Sequence, residues 1–176
     1  MKTYRLPLLL IIFGFAFSSS ALAAPRSLFV PAKNSDEVAV INTSTNQVVT
    51  QIPVGASPIR IAITPDRRKA FISDLLSESI SVLDTVTLTN IATIPVYNVP
   101  GESTITPDGR RLFVLHQAPL SSGDPDHSPV AVIDTATNLV ITTVLIPGKG
   151  AKDILFTLDG RFAYVANNTI GEVDVI

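Results

Sequence analysis

Two histidines are the only side chains in this cysteine-free chain whose ordinary pKa lies near neutrality. One of them, His116, follows Asp74 at an offset of 42 in the chain. A histidine facing a carboxylate can move protons or share a metal ion. The other, His127, closes a second group with Asp124 and Asp126 inside Pro119-Leu-Ser-Ser-Gly-Asp-Pro-Asp-His-Ser-Pro129. Oxygen-rich loops can hold calcium, but this spacing matches no complete ligand set. The chain has no Gly-x-Ser-x-Gly elbow, no His-Glu-x-x-His and no phosphate-binding glycine loop. Without cysteine there is no Cys-His haem attachment motif, and haem or zinc catalysis is poorly supplied. No catalytic residue, metal ligand or cofactor is therefore assigned. Asp74 and His116 are the catalytic candidates, and Asp124, Asp126 and His127 the metal candidates.

The elements that must position these residues recur at the same offset. Ile41-Asn-Thr43 returns as Leu83-Asp-Thr85, and Thr64-Pro-Asp66 returns as Thr106-Pro-Asp108. Leu28-Phe-Val, Ala70-Phe-Ile and Leu112-Phe-Val open successive copies at that spacing. A fixed period of this size marks an array of one supersecondary unit. Within a period, residues 59–64, 70–74, 79–84 and 90–96 are short runs rich in Val, Ile, Thr and Phe, and they read as strands. The alternation in Ser79-Ile-Ser-Val-Leu-Asp84 predicts a strand with one side facing solvent. Pro107-Asp-Gly109 and Asp134-Thr-Ala-Thr-Asn138 carry turn chemistry: a preset proline φ, side chains that bond local amides, and glycine's freedom to turn. The recurring Asp84-Thr85 and Asp134-Thr135 pairs read as structural.

Four antiparallel strands in about 40 residues, repeated in tandem, predict β-propeller blades and an all-β fold. Tyr164-Val-Ala-Asn167, Ala131-Val-Ile-Asp-Thr-Ala-Thr-Asn138, Gln51-Ile-Pro-Val-Gly55 with Ser57-Pro58, and Thr106-Pro-Asp-Gly-Arg110 stand in the same order within each period. Through these residues the chain resembles the YVTN family of β-propeller repeats, akin to WD40-like and surface-layer propellers. The resemblance covers nearly all of the chain after residue 23. It implies that the Pro58 type of segment is the inner strand, lining a central channel, and that the segment at 90–96 is the outermost. The strand groups are then three, four, four and three, fourteen in all, or about three and a half blades. The repeats run roughly 28–69, 70–111, 112–162 and 163–176. A closed ring uses about four to eight blades. The expectation is an incomplete ring: a piece of a longer propeller, or an arc completed by another copy or another chain. Its open sheet edges invite self-association.

Positions that break the pattern locate candidate sites. The offset from Leu112 to Ile133 is 21, against 13 from Leu28 to Ile41 and from Ala70 to Leu83. The extra stretch falls within 118–129, and insertions in repeats map to one face of the array. Ala32, Asp74, His116 and Asn167 are equivalent, each ending the second strand of its unit. On radial blades they ring one channel mouth, where they could do chemistry or simply cap hairpins.

Residues 1–23 read as a secretory signal. Lys2 and Arg5 precede an apolar run at 6–17, and Ser18-Ser-Ser-Ala-Leu-Ala23 offers cleavage after Ala23. The run is shorter than the roughly 20 residues a bilayer span needs. The domain is then 24–176, without a membrane span. Removing Lys2 and Arg5 leaves 11 basic residues against 15 acidic ones, a net charge of −4. No basic cluster exists to neutralise phosphates, which argues against nucleic acid. An exported protein without disulfides points to a bacterial envelope, in the periplasm, secreted or at the cell surface. The expected role is a non-enzymatic scaffold binding a protein or cell-surface component. The resemblance leaves two alternatives: a fragment of a propeller enzyme, lactonase-like or a periplasmic reductase domain, and a non-functional truncated gene product.

Overall fold

The computed structural model describes residues 27–176 apart from 98, 117–126, 149 and 169. The signal segment, Asp124 and Asp126 lie outside the described residues. The strands are β1 (Ser27–Ala32), β2 (Glu37–Asn42), β3 (Gln47–Pro53), β4 (Pro58–Ile63), β5 (Lys69–Asp74), β6 (Ser79–Asp84) and β7 (Thr89–Pro95). They continue as β8 (Pro100–Ile105), β9 (Arg111–His116), β10 (His127–Asp134), β11 (Leu139–Pro147), β12 (Ala151–Phe156), β13 (Ala163–Asn167) and β14 (Glu172–Val175). Among the described residues they form four antiparallel sheets of three, four, four and three strands, ordered β1-β2-β3, β4-β5-β6-β7, β8-β9-β10-β11 and β12-β13-β14. This is the expected division: the first sheet has no inner strand and the last no outer one.

Each sheet is a meander because its turns are local and tight. Thr64, Thr106 and Thr157 each donate a hydroxyl hydrogen bond to the Asp two residues on, at 2.5, 2.6 and 2.5 Å. The same aspartates accept the backbone N–H of Arg68, Arg110 and Arg161. The third residue of this turn takes a left-handed φ, with glycine at Gly109 and Gly160 but arginine at Arg67, φ 59°. The Asp-Thr pair closes the turn from the other side. Asp84 and Asp134 cap the next hairpin, while Thr85 donates to Arg67 O and Thr135 to Gly109 O. These pairs are structural, as read from the sequence. A register shift recurs between the third and fourth strands at Val40/Ile41, Val82/Leu83 and Val132/Ile133. Bulges increase strand twist, so all three blades twist at the same place.

The sheets stack face to face in chain order, with an apolar layer at each junction. Phe29, Val38, Val40 and Ile52 meet Ala70, Ile72 and Leu83 between the first and second sheets. Phe71, Ile80 and Val82 meet Leu112, Val114, Ala131 and Ile133 at the next. Leu115, Val130 and Ile146 meet Ile154, Ala163 and Val165 at the last, with Phe113 edge-on to Phe156 at 4.9 Å. Contact is more extensive along the inner strands β4, β8 and β12 than between the outer strands β3 and β7, so the blades splay radially.

One local expectation is overturned. β6 does not face solvent on its polar side, since Ser79 and Ser81 are buried. An interior blade is covered on both faces, and there the polar alternation supplies hydroxyl partners for a buried carboxyl.

Candidate functional site

β5 ends at Asp74, β9 at His116 and β13 at Asn167. The repeat thereby carries all three to the same end of the blades, where each blade receives the chain from the one before. All three are buried. Their counterpart Ala32 is half-buried.

Asp74 points at its own third strand. Its Oδ2 accepts the Ser81 N–H at 3.1 Å, the Ser81 hydroxyl at 2.7 Å and the Ser79 hydroxyl at 3.4 Å. Its Oδ1 is buried without a hydrogen-bond partner. Burial pushes the carboxyl above the usual carboxylate range, and the donors from Ser81, Gly55 and Ser79 pull it partly back. Gly55 belongs to the connection arriving from β3, and its N–H donates to Ser81 Oγ at 3.2 Å. A Cβ at Gly55 would stand 2.6 Å from Asp74 Oδ2, so only glycine permits this approach.

Asn167 makes the corresponding grip in the last sheet with different chemistry. Its Nδ2 donates to Pro147 O at 2.8 Å. Gly148, at φ 78°, passes so near that a Cβ would lie 2.9 Å from that nitrogen. His116 sits against the incoming connection too. It lines a cleft of about 240 Å³ with Pro95, Val96 and Tyr97 on one side and Pro129, Ala131, Val140 and Thr143 on the other. Tyr97 is exposed. His127 begins β10 opposite Pro147.

The structure thus puts Asp74 and His116 at equivalent sites on adjacent blades and turns Asp74 toward Ser79 and Ser81 of its own blade. Among the described residues no group of three or more His, Asp or Glu side chains could hold a metal.

A larger cleft, about 400 Å³, lies at the opposite end of the blades between the Thr-Pro-Asp turns. Asp66, Asp108 and Lys69 in it are committed to structure. Bonds from the threonine hydroxyls hold Asp66 and Asp108 below the usual carboxylate range. Lys69 Nζ donates to Thr135 O at 2.7 Å and to Asn138 Oδ1 at 3.2 Å, tying the second sheet to the third. On the inner strands, Arg60 Nε meets Glu102 Oε2 at 2.6 Å across the second and third blades. Sequence reasoning passed over this pair, although its signal was present: opposite charges at one repeat position, a single period apart. Tyr97 was also passed over. The sign there is a large aromatic standing where the preceding copy has Gly55.

Four radially splayed antiparallel sheets, joined inner strand to outer strand, define an all-β protein built of β-propeller blades. Comparison with solved structures agrees. The chain is similar to Kuenenia stuttgartiensis hydrazine synthase, with a TM-score of 0.75 and 24% identity over 85% of this chain and 42% of that one. It is also similar to the dihydro-heme d1 dehydrogenase NirN in complex with DHE, with a TM-score of 0.64 and 19% identity over 86% of this chain and 35% of that one. At these identities the likeness is one of fold. The chain spans less than half the length of either protein. No protein-family model matches the sequence, and no curated protein does.

Proposed function

We propose that this is an exported YVTN-type β-propeller repeat protein of a bacterial envelope, acting without catalysis as a scaffold that binds a protein or cell-surface component. The observation that carries the reading is the use made of the polar strand-end residues. Asp74 holds Ser81, which in turn accepts the Gly55 N–H of the incoming connection, and Asn167 donates to Pro147 O, so the fold employs both for structure. The binding face is the end of the blades that carries the His116 cleft and exposed Tyr97. A partly apolar cleft with a few polar groups suits recognition of a protein surface.

Envelope proteins captured on the immobilised protein are the test, compared with capture by a Tyr97→Ala variant. Partners retained by the wild type and lost by the variant support the reading, whereas no specific capture by the wild type defeats it. A mature N-terminus at Ala24 checks the export step. A second reading, a portion of a propeller enzyme of lactonase or reductase type, draws on the enzymes among the structural neighbours. It puts chemistry at Asp74 and His116: a wild type without lactonase or redox activity defeats it, and an activity that survives His116→Ala and Asp74→Asn rules out these two residues as its site.

A further inference from the structure

The outer strands β3, β7 and β11 hold one place in the repeat, and among the described residues each pairs on one side only. A free strand edge offers unpaired N–H and C=O groups to any extended chain, so native sheets blunt it with short strands, bulges or proline. β3 and β7 carry all three guards. Each has seven residues, a register shift against its neighbour and a terminal proline, Pro53 opposite Glu37 and Pro95 opposite Ser79. β11 keeps only the register shift. It has nine residues, and the equivalent place, opposite Pro129, holds Leu145, the proline having moved on to Pro147. Past the shift its pairing runs unbroken from Thr142 to Pro147, where β7 pairs only from Ala92 to Pro95. Leu139, Val140, Ile141 and Leu145 are exposed, and the strand has no charged side chain to repel a neighbour.

The same strand lines the His116 cleft through Val140 and Thr143. Between the first two sheets the equivalent places are closed by polar groups: Asp74 holds Ser79 and Ser81, Gly55 donates to Ser81, and Asn90 Nδ2 donates to Pro53 O at 3.4 Å. One repeat later they are His116, Pro129, Ala131, Tyr97 and Val140, and the cleft of about 240 Å³ stands there. That is less than the roughly 300–1,000 Å³ of small-ligand sites, and it gives room for a single large side chain. Leu145 stands on the same face of the sheet as Thr143, so a strand added to β11 projects alternate side chains on the cleft side. We propose that the partner met at this face presents an extended, uncharged segment, which adds to β11 as a further strand and seats one apolar side chain in the cleft. The backbone ladder supplies affinity and the cleft supplies selectivity. The inference rests on the reading that this end of the blades binds a protein.

A display library of short random peptides, selected on the immobilised protein, is the probe. Uncharged, β-branched sequences with one large apolar residue are expected to be enriched. A selected peptide remade with alternate backbone amides N-methylated loses the ladder and binds about tenfold or more weakly. Leu145→Pro restores the missing guard and weakens the unmodified peptide by about the same factor. Pro53 and Pro95 show that the paired strand accepts proline at this place, so the fold is kept, as circular dichroism checks. An empty selection, charged winners, or a winner indifferent to N-methylation or to Leu145→Pro overturns the proposal. So does light scattering that finds the wild type dimeric and Leu145→Pro monomeric, for a second copy then fills the edge. Envelope capture separates this inference from the reading beneath it. Partners held equally by wild type and Leu145→Pro keep the scaffold role and sink strand addition. A wild type that captures none, while selected peptides behave as expected, defeats the scaffold role and leaves the strand site standing.

Discussion

Replacing Asp74 with asparagine separates a structural carboxyl from a functional one. In the fold this group is fully buried, with one oxygen holding Ser79 and Ser81 and the other without a partner. Desolvation raises its pKa. An acid whose pKa is raised on folding favours the folded state most when protonated. That contribution is fully present below the ordinary aspartate value, near 3.9, and is lost as pH rises through the raised folded value. Asparagine keeps an oxygen for Ser81 and carries no charge to desolvate. The repeat already uses it here, for Asn167 grips the last connection through Nδ2. Asp74→Asn is therefore expected to gain stability at pH 7, about 1.4 kcal/mol for each unit by which burial raises the carboxyl, and little at pH 4. Asp74→Ala strands the buried Ser81 N–H and is expected to lose about 1–3 kcal/mol. Urea midpoints at constant slope measure both. The turn aspartates Asp66, Asp84, Asp108, Asp134 and Asp159 have lowered pKa values and lose stability as pH falls. Only the difference between variant and wild type at each pH isolates Asp74. If Asp74→Asn costs stability at pH 7 but not at pH 4, the site is built for the charged form and the structural account is refuted.

Two further substitutions probe the connections and turns. Gly55→Ala drives a methyl group to 2.6 Å from Asp74 Oδ2 and is expected to destabilise by about 1–3 kcal/mol, read as a lower urea midpoint. Arg67→Gly relieves an exposed left-handed residue where the equivalent turns have Gly109 and Gly160. Set against glycine's greater freedom when unfolded, the gain is about 0.5–1 kcal/mol, and an unchanged or lower melting temperature would contradict it.

The architecture was legible because each repeat states it locally. Proline, aspartate and glycine at fixed offsets set the turns, and β-branched residues between them set the strands, so the count of fourteen needed no long-range information. Burial was not legible in the same way. Ser79 and Ser81 alternate with Ile80 and Val82 as they would on a solvent-facing strand, and only the stacking of blades on both sides shows that they are inside. Leu88 is similar. Its φ of 56° suits the asparagine found at Asn46 and Asn138, but its side chain packs on the layer between the first two sheets. Of the candidate site, the equivalence of Asp74, His116 and Asn167 could be read from spacing. The direction in which each points could not, because it depends on where the previous blade's connection crosses.

Because the apolar layers among the described residues join each blade to its neighbours in the stack, resistance to opening is graded along the chain. The second and third sheets are each held by two apolar layers, and the first and last by one. Amide protons of β5, β6, β9 and β10 are expected to exchange with solvent most slowly, and those of β13 and β14 most quickly. Cooperative loss of structure then starts at the outer sheets and moves inward.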